Sequence, residues 1–239
     1  MAASVSQAAK ATAEKLWCQN TSKIVAIGRN YVAHAHELNN AVPANKAAGG
    51  KPFWFLKPPS SLIGSGSPHE CAPGRTESHH ELELGLVIGE RCRRVSEADA
   101  MGYISGYFLA LDMTDREGQN AAKEARKPWT ACKGWDTSCP VSDMVPVSEG
   151  LDPTKFNMWL KVNGEEQPRQ YGCPGNMIFS IPEIISAVSH VHTLEPGDLI
   201  ITGTPEGVGA VYPGDVIEAG ITELGISINV PIVEAGSIE

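Results

Sequence analysis

From Leu194 to the C-terminus, glycine and proline return every few residues, as in "LEPGDLIITGTPEGVGAVYPGDVIEAGI". A helix interior tolerates neither well, because proline removes a hydrogen bond and clashes with the preceding turn, while glycine costs backbone entropy. What fits between such residues is a short strand joined to the next by a tight turn. The later "ISINVPIV" alternates with period two, as a strand with one buried face requires. This end of the chain is committed to β-structure.

The earlier elements are mixed. Lys23 to Ile27 reads as a strand, followed by a turn at Gly28 and Asn30 and a short helix in "YVAHAHEL". "FWFLKP" reads as a second strand closed by Pro58 and Pro59, and the Ser/Gly/Pro-rich stretch to Thr76 as irregular chain. Glu81 to Ile88 and Tyr103 to Asp112 read as further strands, with a capping box at Ser96 and Asp99 between them. Thr114 and Glu117 predict a capped helix running to about Arg126, where Pro128 stops it. Asn163-Gly164 predicts a type I′ hairpin turn. Ser180 with Glu183 predicts a capped helix through His190, with Pro182 tolerated in its first turn. Strands outnumber helices, which predicts a strand-dominated α+β fold rather than a doubly wound one.

No repeat or interior linker divides the chain, so residues 23–239 are expected to form one domain behind an N-terminal tail, residues 1–22. That tail is rich in Ala and Ser and carries Lys10 and Lys15 against the single acid Glu14, which resembles an organelle transit peptide. Lacking arginine, it reads equally as a disordered or helical tail. A net charge of −9 with no basic cluster lacks the electrostatic footprint of a nucleic-acid binder. No run approaches the ~20 apolar residues of a bilayer span, and no continuous apolar core marks a secretory signal. The six cysteines include no C-x-x-C pair and sit in a chain large enough to need no disulfide, which predicts reduced thiols in an intracellular compartment.

One segment departs from ordinary strand chemistry. "SHHELELGLVIG" carries Glu81 and Glu83 in an otherwise apolar strand, where burying a carboxylate costs several kcal/mol, roughly, unless something compensates it. At period two both point to one face, about 7 Å apart, with Leu82, Leu84 and Leu86 on the other. Two adjacent like charges need one of them protonated or a cation between them. Asp112, at the end of another apolar strand, offers a third oxygen. A carboxylate set without His or Cys favours a hard divalent ion, Mg²⁺ or Mn²⁺. The alternative for an isolated E-x-E is a solvent-facing pair neutralised by Lys or Arg.

Seven strings occur along the chain in order: "GRNYVAHAHEL", "FLKP", "HHELELGLVIG", "GYFLALDMTDR", "PWTACKGWDTSCPV", "MIFSIPEIIS" and "GDLIITGTPEGVG". Together they resemble the fumarylacetoacetate hydrolase superfamily over about Lys23 to Val233, most closely its short branch of acylpyruvases that also decarboxylate oxaloacetate. The resemblance implies Glu81, Glu83 and Asp112 as metal ligands. It implies His34 and Glu37, an i, i+3 pair on one helical face, as a catalytic dyad that activates water. Arg116 and Lys133 would contact the substrate's anionic oxygens, Lys133 also stabilising an enolate. Gly203 and Thr204, in the "GTPEGVG" loop, would approach a small carboxylate because glycine leaves room. Lys57 is read as structural, and His36, His79 and His80 are left outside catalysis.

The implied chemistry is hydrolysis of acylpyruvates to pyruvate and a carboxylic acid, decarboxylation of oxaloacetate to pyruvate, or both, through a metal-stabilised pyruvate enolate. Keto–enol tautomerisation of oxaloacetate is the alternative, and non-catalytic metabolite binding a more distant one. The resemblance further implies Mg²⁺ or Mn²⁺ as cofactor, small 2-oxo acid substrates, a homodimer, and a mitochondrial location with the cytoplasm as alternative. Two departures stand out: Asp115 replaces a small residue, and the loop around Asn45 to Gly50 is longer than its counterpart and suits part of a lid.

Overall fold

The computed structural model describes Cys18 and residues 20–37 and 41–237. The fold opens with β1 (Ile24–Gly28), the short helix α1 (Val32–Glu37) and β2 (Phe53–Lys57), which returns antiparallel to β1. Two short strands follow, β3 (Leu62–Gly64) and β4 (His69–Glu70), where composition predicts only irregular chain. Both are made by distant parallel partners, Cys139–Val141 for β3 and the last strand for β4, and no local pattern encodes such pairing. A further short strand, β5 (Ser78–His80), precedes β6 (Leu82–Ile88), the strand expected over Glu81 to Ile88, with Glu81 between the two. Then come β7 (Ile104–Leu111), α2 (Arg116–Glu124), α3 (Thr130–Lys133), β8 (Cys139–Val141) and β9 (Val145–Pro146). The second half holds β10 (Met158–Val162), β11 (Gln170–Gly172), α4 (Ile181–Val191), β12 (Leu199–Ile201), β13 (Gly209–Val211), β14 (Val216–Ile221) and β15 (Ile226–Val233).

The eight-stranded main sheet runs β2-β1-β12-β6-β7-β8-β3, with β9 attached to β7. A five-stranded sheet runs β11-β10-β14-β15-β4, and β5 pairs with β13. The strand-dominated α+β class expected from the sequence is the class observed.

β6 lies between β12 and β7, and every residue of it is buried. Leu82, Leu84, Leu86 and Ile88 enter the large core beside Ile184 and Val188 of α4 and Leu160 and Ile217 of the second sheet. Each such side chain contributes roughly 2 kcal/mol on burial. Val87, of opposite parity, joins a smaller cluster with Ala26, Phe108 and Ala110. Gly85 shares that parity, and the ring of its register partner Phe108 occupies the space, since a Cβ there would lie 2.2 Å from the ring. β7 divides likewise, Leu109 and Leu111 to the large core and Phe108 and Ala110 to the small one.

This alternation positions the site. Glu83 on β6 and Asp112 just past β7 both fall on the small-cluster parity. The antiparallel register that pairs Leu82 with Leu111 carries on to set Asp112 opposite Glu81, and the Asp112 N–H donates to the Glu81 carbonyl at 2.8 Å.

Local chemistry explains the helix ends and turns. α4 has the capping box expected of Ser180 and Glu183. α2 is capped by Asp115 rather than by Thr114, its carboxylate accepting the Gly118 N–H at 2.9 Å. A carboxylate there caps and also complements the helix dipole, while the Thr114 hydroxyl donates back to the Asp112 carbonyl. Asn163 and Gly164 have φ of 52° and 69°, as a type I′ turn requires. The tail expected over residues 1–22 lies largely outside the described residues, although Thr21 donates to the Gly197 carbonyl at 2.8 Å and Ser22 to Asp198. All six cysteines are unpaired, and no described helix is long and apolar enough to cross a membrane.

Candidate active site

Glu81, Glu83 and Asp112 present carboxylate oxygens that all lie within 4.8 Å of one another. They are only 6%, 1% and 2% exposed, so water compensates none of them. Cations do so for two of the three. Lys133, at the end of α3, donates to Glu81 Oε2 at 2.7 Å and Asp112 Oδ2 at 2.6 Å. Lys57, the last residue of β2, donates to Asp112 Oδ1 at 2.7 Å and to the Lys133 carbonyl. Arg116, in the first turn of α2, donates to Glu81 Oε1 and to Gln119 Oε1. Glu83 makes no ion pair among the described residues and accepts the Gly203 N–H at 2.6 Å.

The consequence is a divided pair. Burial pushes the Glu81 carboxyl up, but Lys133 and Arg116 outweigh it and hold the group well below the usual carboxylate range. Burial pushes Glu83 up as well, and there Asp112 and Glu81 add to it, keeping Glu83 well above that range. Three buried carboxyl groups, one of them pushed up by burial and by its neighbours' charge, suit a hard divalent ion. The triad can hold a metal.

His34 on α1 is buried, with Nδ1 3.5 Å from Glu37 Oε2. Burial pulls its pKa below the ordinary value despite the opposing Glu81 charge, so the imidazole is neutral and free to accept a proton. Glu37 in turn accepts the Gly207 N–H at 3.0 Å. Gly207 has φ of 89°, and a Cβ there would lie 1.9 Å from the Arg169 carbonyl, so only glycine fits. The "GTPEGVG" loop therefore grips two carboxylates, Glu83 through Gly203 and Glu37 through Gly207. Thr204 accepts a hydrogen bond from Gln170 Nε2 at 2.8 Å, and Gln170 also accepts the Leu82 N–H at 3.0 Å.

His34, Glu81, Glu83, Asp112, Arg116, Lys133 and Thr204 line one cavity. Glu37 and Gly203 are not among the lining residues, and each is hydrogen-bonded as described. Sequence reasoning treated Lys57 as structural, whereas it carries a charge into the carboxylate cluster. It assigned no role to Arg29, Gln119 or Lys123, which also line the cavity. Spacing offered a signal for two of these, because Arg116, Gln119 and Lys123 recur at i, i+3 and i+7 along one helix face. The loop of Asn45 to Gly50 forms a short turn whose Lys46, Gly49 and Gly50 line a separate groove with Trp54 and Glu183, away from the site.

A strand-rich frame with a buried all-carboxylate triad beside a His–Glu pair defines an enzyme whose site could hold a metal ion. The chain belongs to the fumarylacetoacetate hydrolase family, whose model, described as fumarylacetoacetate (FAA) hydrolase C-terminal, matches residues 23–231. It is 50% identical over 205 residues to the mitochondrial oxaloacetate tautomerase of Homo sapiens, covering 86% of this chain and 88% of that one. Identity to the mitochondrial oxaloacetate decarboxylase of Dictyostelium discoideum is 46% over 220 residues, 92% of this chain and 97% of the relative. The fumarylpyruvate hydrolase of Pseudomonas aeruginosa, solved with Mn²⁺ and pyruvate, shares the fold with a TM-score of 0.80 and 34% identity over 90% of each chain.

Proposed function

We propose that this chain is a metal-dependent enzyme of small 2-oxo acids that decarboxylates oxaloacetate to pyruvate and cleaves acylpyruvates at the same site, both by way of a pyruvate enolate. The observation that carries the reading is the buried triad with Lys133 between Glu81 and Asp112. A divalent ion, Mg²⁺ or Mn²⁺, held by Glu81, Glu83 and Asp112 would polarise the 2-oxo carbonyl and spread the developing charge. Arg116 and Thr204 orient the adjacent carboxylate. Lys133 supplies a fixed positive charge to the enolate oxygen, preorganised by its own buried bonds. In decarboxylation the electron pair of the breaking C–C bond passes into that enolate as CO₂ leaves, and no water is consumed. In acylpyruvate cleavage, neutral His34 takes a proton from water as the water attacks the distal carbonyl, and Glu37, anchored by Gly207, balances the imidazolium.

A second reading, keto–enol tautomerisation of oxaloacetate, is supported by the human relative's name and needs the same enolate with His34 moving the C3 proton. The relatives' names also support a mitochondrial location. We further propose a homodimer, for which light scattering at micromolar concentration is the test; a monomeric mass rejects it. The function is tested with purified protein on oxaloacetate and acetylpyruvate. Chelation by EDTA should abolish turnover, Mg²⁺ or Mn²⁺ should restore it, and Glu83→Gln should lose at least ~10²-fold. Full activity in chelator overturns the reading.

A further inference from the structure

The cations around the cavity fall into two sets. Lys57, Lys133 and Arg116 are each bonded to Glu81 or Asp112. Arg29 and Lys123 line the same cavity, and among the described residues neither makes an ion pair or a hydrogen bond to any acid. The Arg29 Nε is buried without a partner. Each cation rests on an aromatic face instead: Arg29 Cζ lies 5.0 Å from the centroid of Phe53, and Lys123 Nζ 5.5 Å from that of Trp129. The two rings pack edge to face at 5.6 Å. Stacking of this kind holds a cation in place without neutralising it.

Backbone geometry aims both. Arg29 adopts φ of 53°, a left-handed conformation that costs a non-glycine residue about 1 kcal/mol or more and persists only where neighbours over-determine it. They do: Gly28 is covered by Phe53, and the Asn30 side chain is bonded to the Phe179 backbone and the Thr202 carbonyl at 2.7–3.0 Å. Lys123 sits on the cavity face of α2, two turns after Arg116. Burial, with Arg116 next in effect, pulls Lys123 below its ordinary pKa, and Arg29 acts in the same direction. The Glu81 charge opposes them at Lys123 but bonds neither cation, so two like charges face one partly closed space without a bonded anion.

We propose that Arg29 and Lys123 form a second anion pole that takes the distal carboxylate of a four-carbon 2-oxo diacid, so that the site selects dicarboxylic over monocarboxylic substrates. The assignment rests on the reading of this cavity as a 2-oxo acid site. It explains why the cavity needs cations beyond those that hold the triad: a diacid brings one carboxylate to Arg116 and another to Arg29 and Lys123. A monocarboxylic acylpyruvate leaves the second pole unused.

The test uses the Mn²⁺-loaded full-length protein, its Arg29→Gln and Lys123→Gln variants, and the double variant. Both side chains are partly exposed, so glutamine leaves the core intact. Calorimetric binding of malate against lactate, unreactive 2-hydroxy acids with and without the distal carboxylate, reads the pole directly. Wild-type protein should bind malate at least ~10-fold more tightly than lactate, and the double variant should lose that preference. In turnover the distal carboxylate is the group that leaves as uncharged CO₂, so the pole acts on binding: KM for oxaloacetate should rise about 10-fold relative to KM for acetylpyruvate in the double variant. A malate preference that vanishes in the double variant supports the pole even if no 2-oxo acid is turned over, an outcome that would instead reject the proposed reaction. Equal binding of malate and lactate by wild-type protein, or a ratio of the two KM values unmoved by both substitutions, overturns the proposal.

Discussion

Replacing Lys57 by methionine tests whether the buried charges act as one unit. The Lys57 ammonium is fully buried, bonded to Asp112 Oδ1 at 2.7 Å and to the Lys133 carbonyl, with the Met113 carbonyl at 3.5 Å. Methionine retains the packing of the stem but leaves Asp112 with one cation, Lys133, and a buried carboxylate only partly compensated. Breaking a buried pair by removing one partner costs about 3–5 kcal/mol. Because Lys133 still holds the other Asp112 oxygen at 2.6 Å, the lower end applies, about 3 kcal/mol. That is a large share of the 5–15 kcal/mol, roughly, that holds a typical domain together. The assay is urea unfolding followed by tryptophan fluorescence in EDTA, for wild type, Lys57→Met, Asp112→Asn and the double variant. In the double variant the stranded charge is gone, so its loss should be smaller than the sum of the single losses by at least ~1.5 kcal/mol. Additive losses, or a Lys57→Met variant as stable as wild type, would refute the reasoning.

Further outcomes follow from other parts of the molecule. His34→Ala should lower acylpyruvate hydrolysis by about 10²–10⁴-fold and oxaloacetate decarboxylation far less, since only the first consumes water; equal losses in kcat would show that the division of labour is wrong. Gly207→Ala places a Cβ 1.9 Å from the Arg169 carbonyl at φ of 89° and should destabilise the fold by about 2 kcal/mol or more while freeing Glu37, as urea unfolding and hydrolysis rates will show; a stable, fully active variant contradicts it. Burial drives the His69 imidazole down to about 4, whereas an unfolded histidine titrates near ~6.5. Between these values the unfolded chain binds more protons, so the stability His69 provides is full above about pH 6.5 and is lost as pH falls toward 4, by about 3 kcal/mol in all. Unfolding free energies of wild type and His69→Gln across that window should diverge in slope; parallel curves would be inconsistent with a buried neutral histidine.

Much of the local structure was legible because it depends on neighbours in sequence. Asn163-Gly164 demands two positive φ angles and receives them, and Ser180 and Glu183 cap a helix with donors and acceptors three residues apart. The helix at Arg116 shows where local reading stops. Both Thr114 and Asp115 are plausible caps, and the choice went to Asp115, whose carboxylate also meets Arg75 from a distant loop at 3.1 Å. The strands β3 and β4 were illegible for the same reason, being made by their partners.

The sequence by itself determined that Glu81 and Glu83 share a face opposite Leu82, Leu84 and Leu86, because strand alternation depends only on position along the chain. It also determined that the C-terminal portion consists of short strands, because glycine and proline leave room for little else. Only the tertiary structure decided what those glutamates meet. Register set Asp112 across from Glu81, and chain returns brought in Lys57, Arg116 and Lys133 as counter-charges and Gly203 as the donor to Glu83. The same residue type on the same strand is consequently held well below the usual carboxylate range at Glu81 and well above it at Glu83. Alternation fixes a direction, but a charge state is a sum over every group within reach, and that sum exists only once the chain has closed around it.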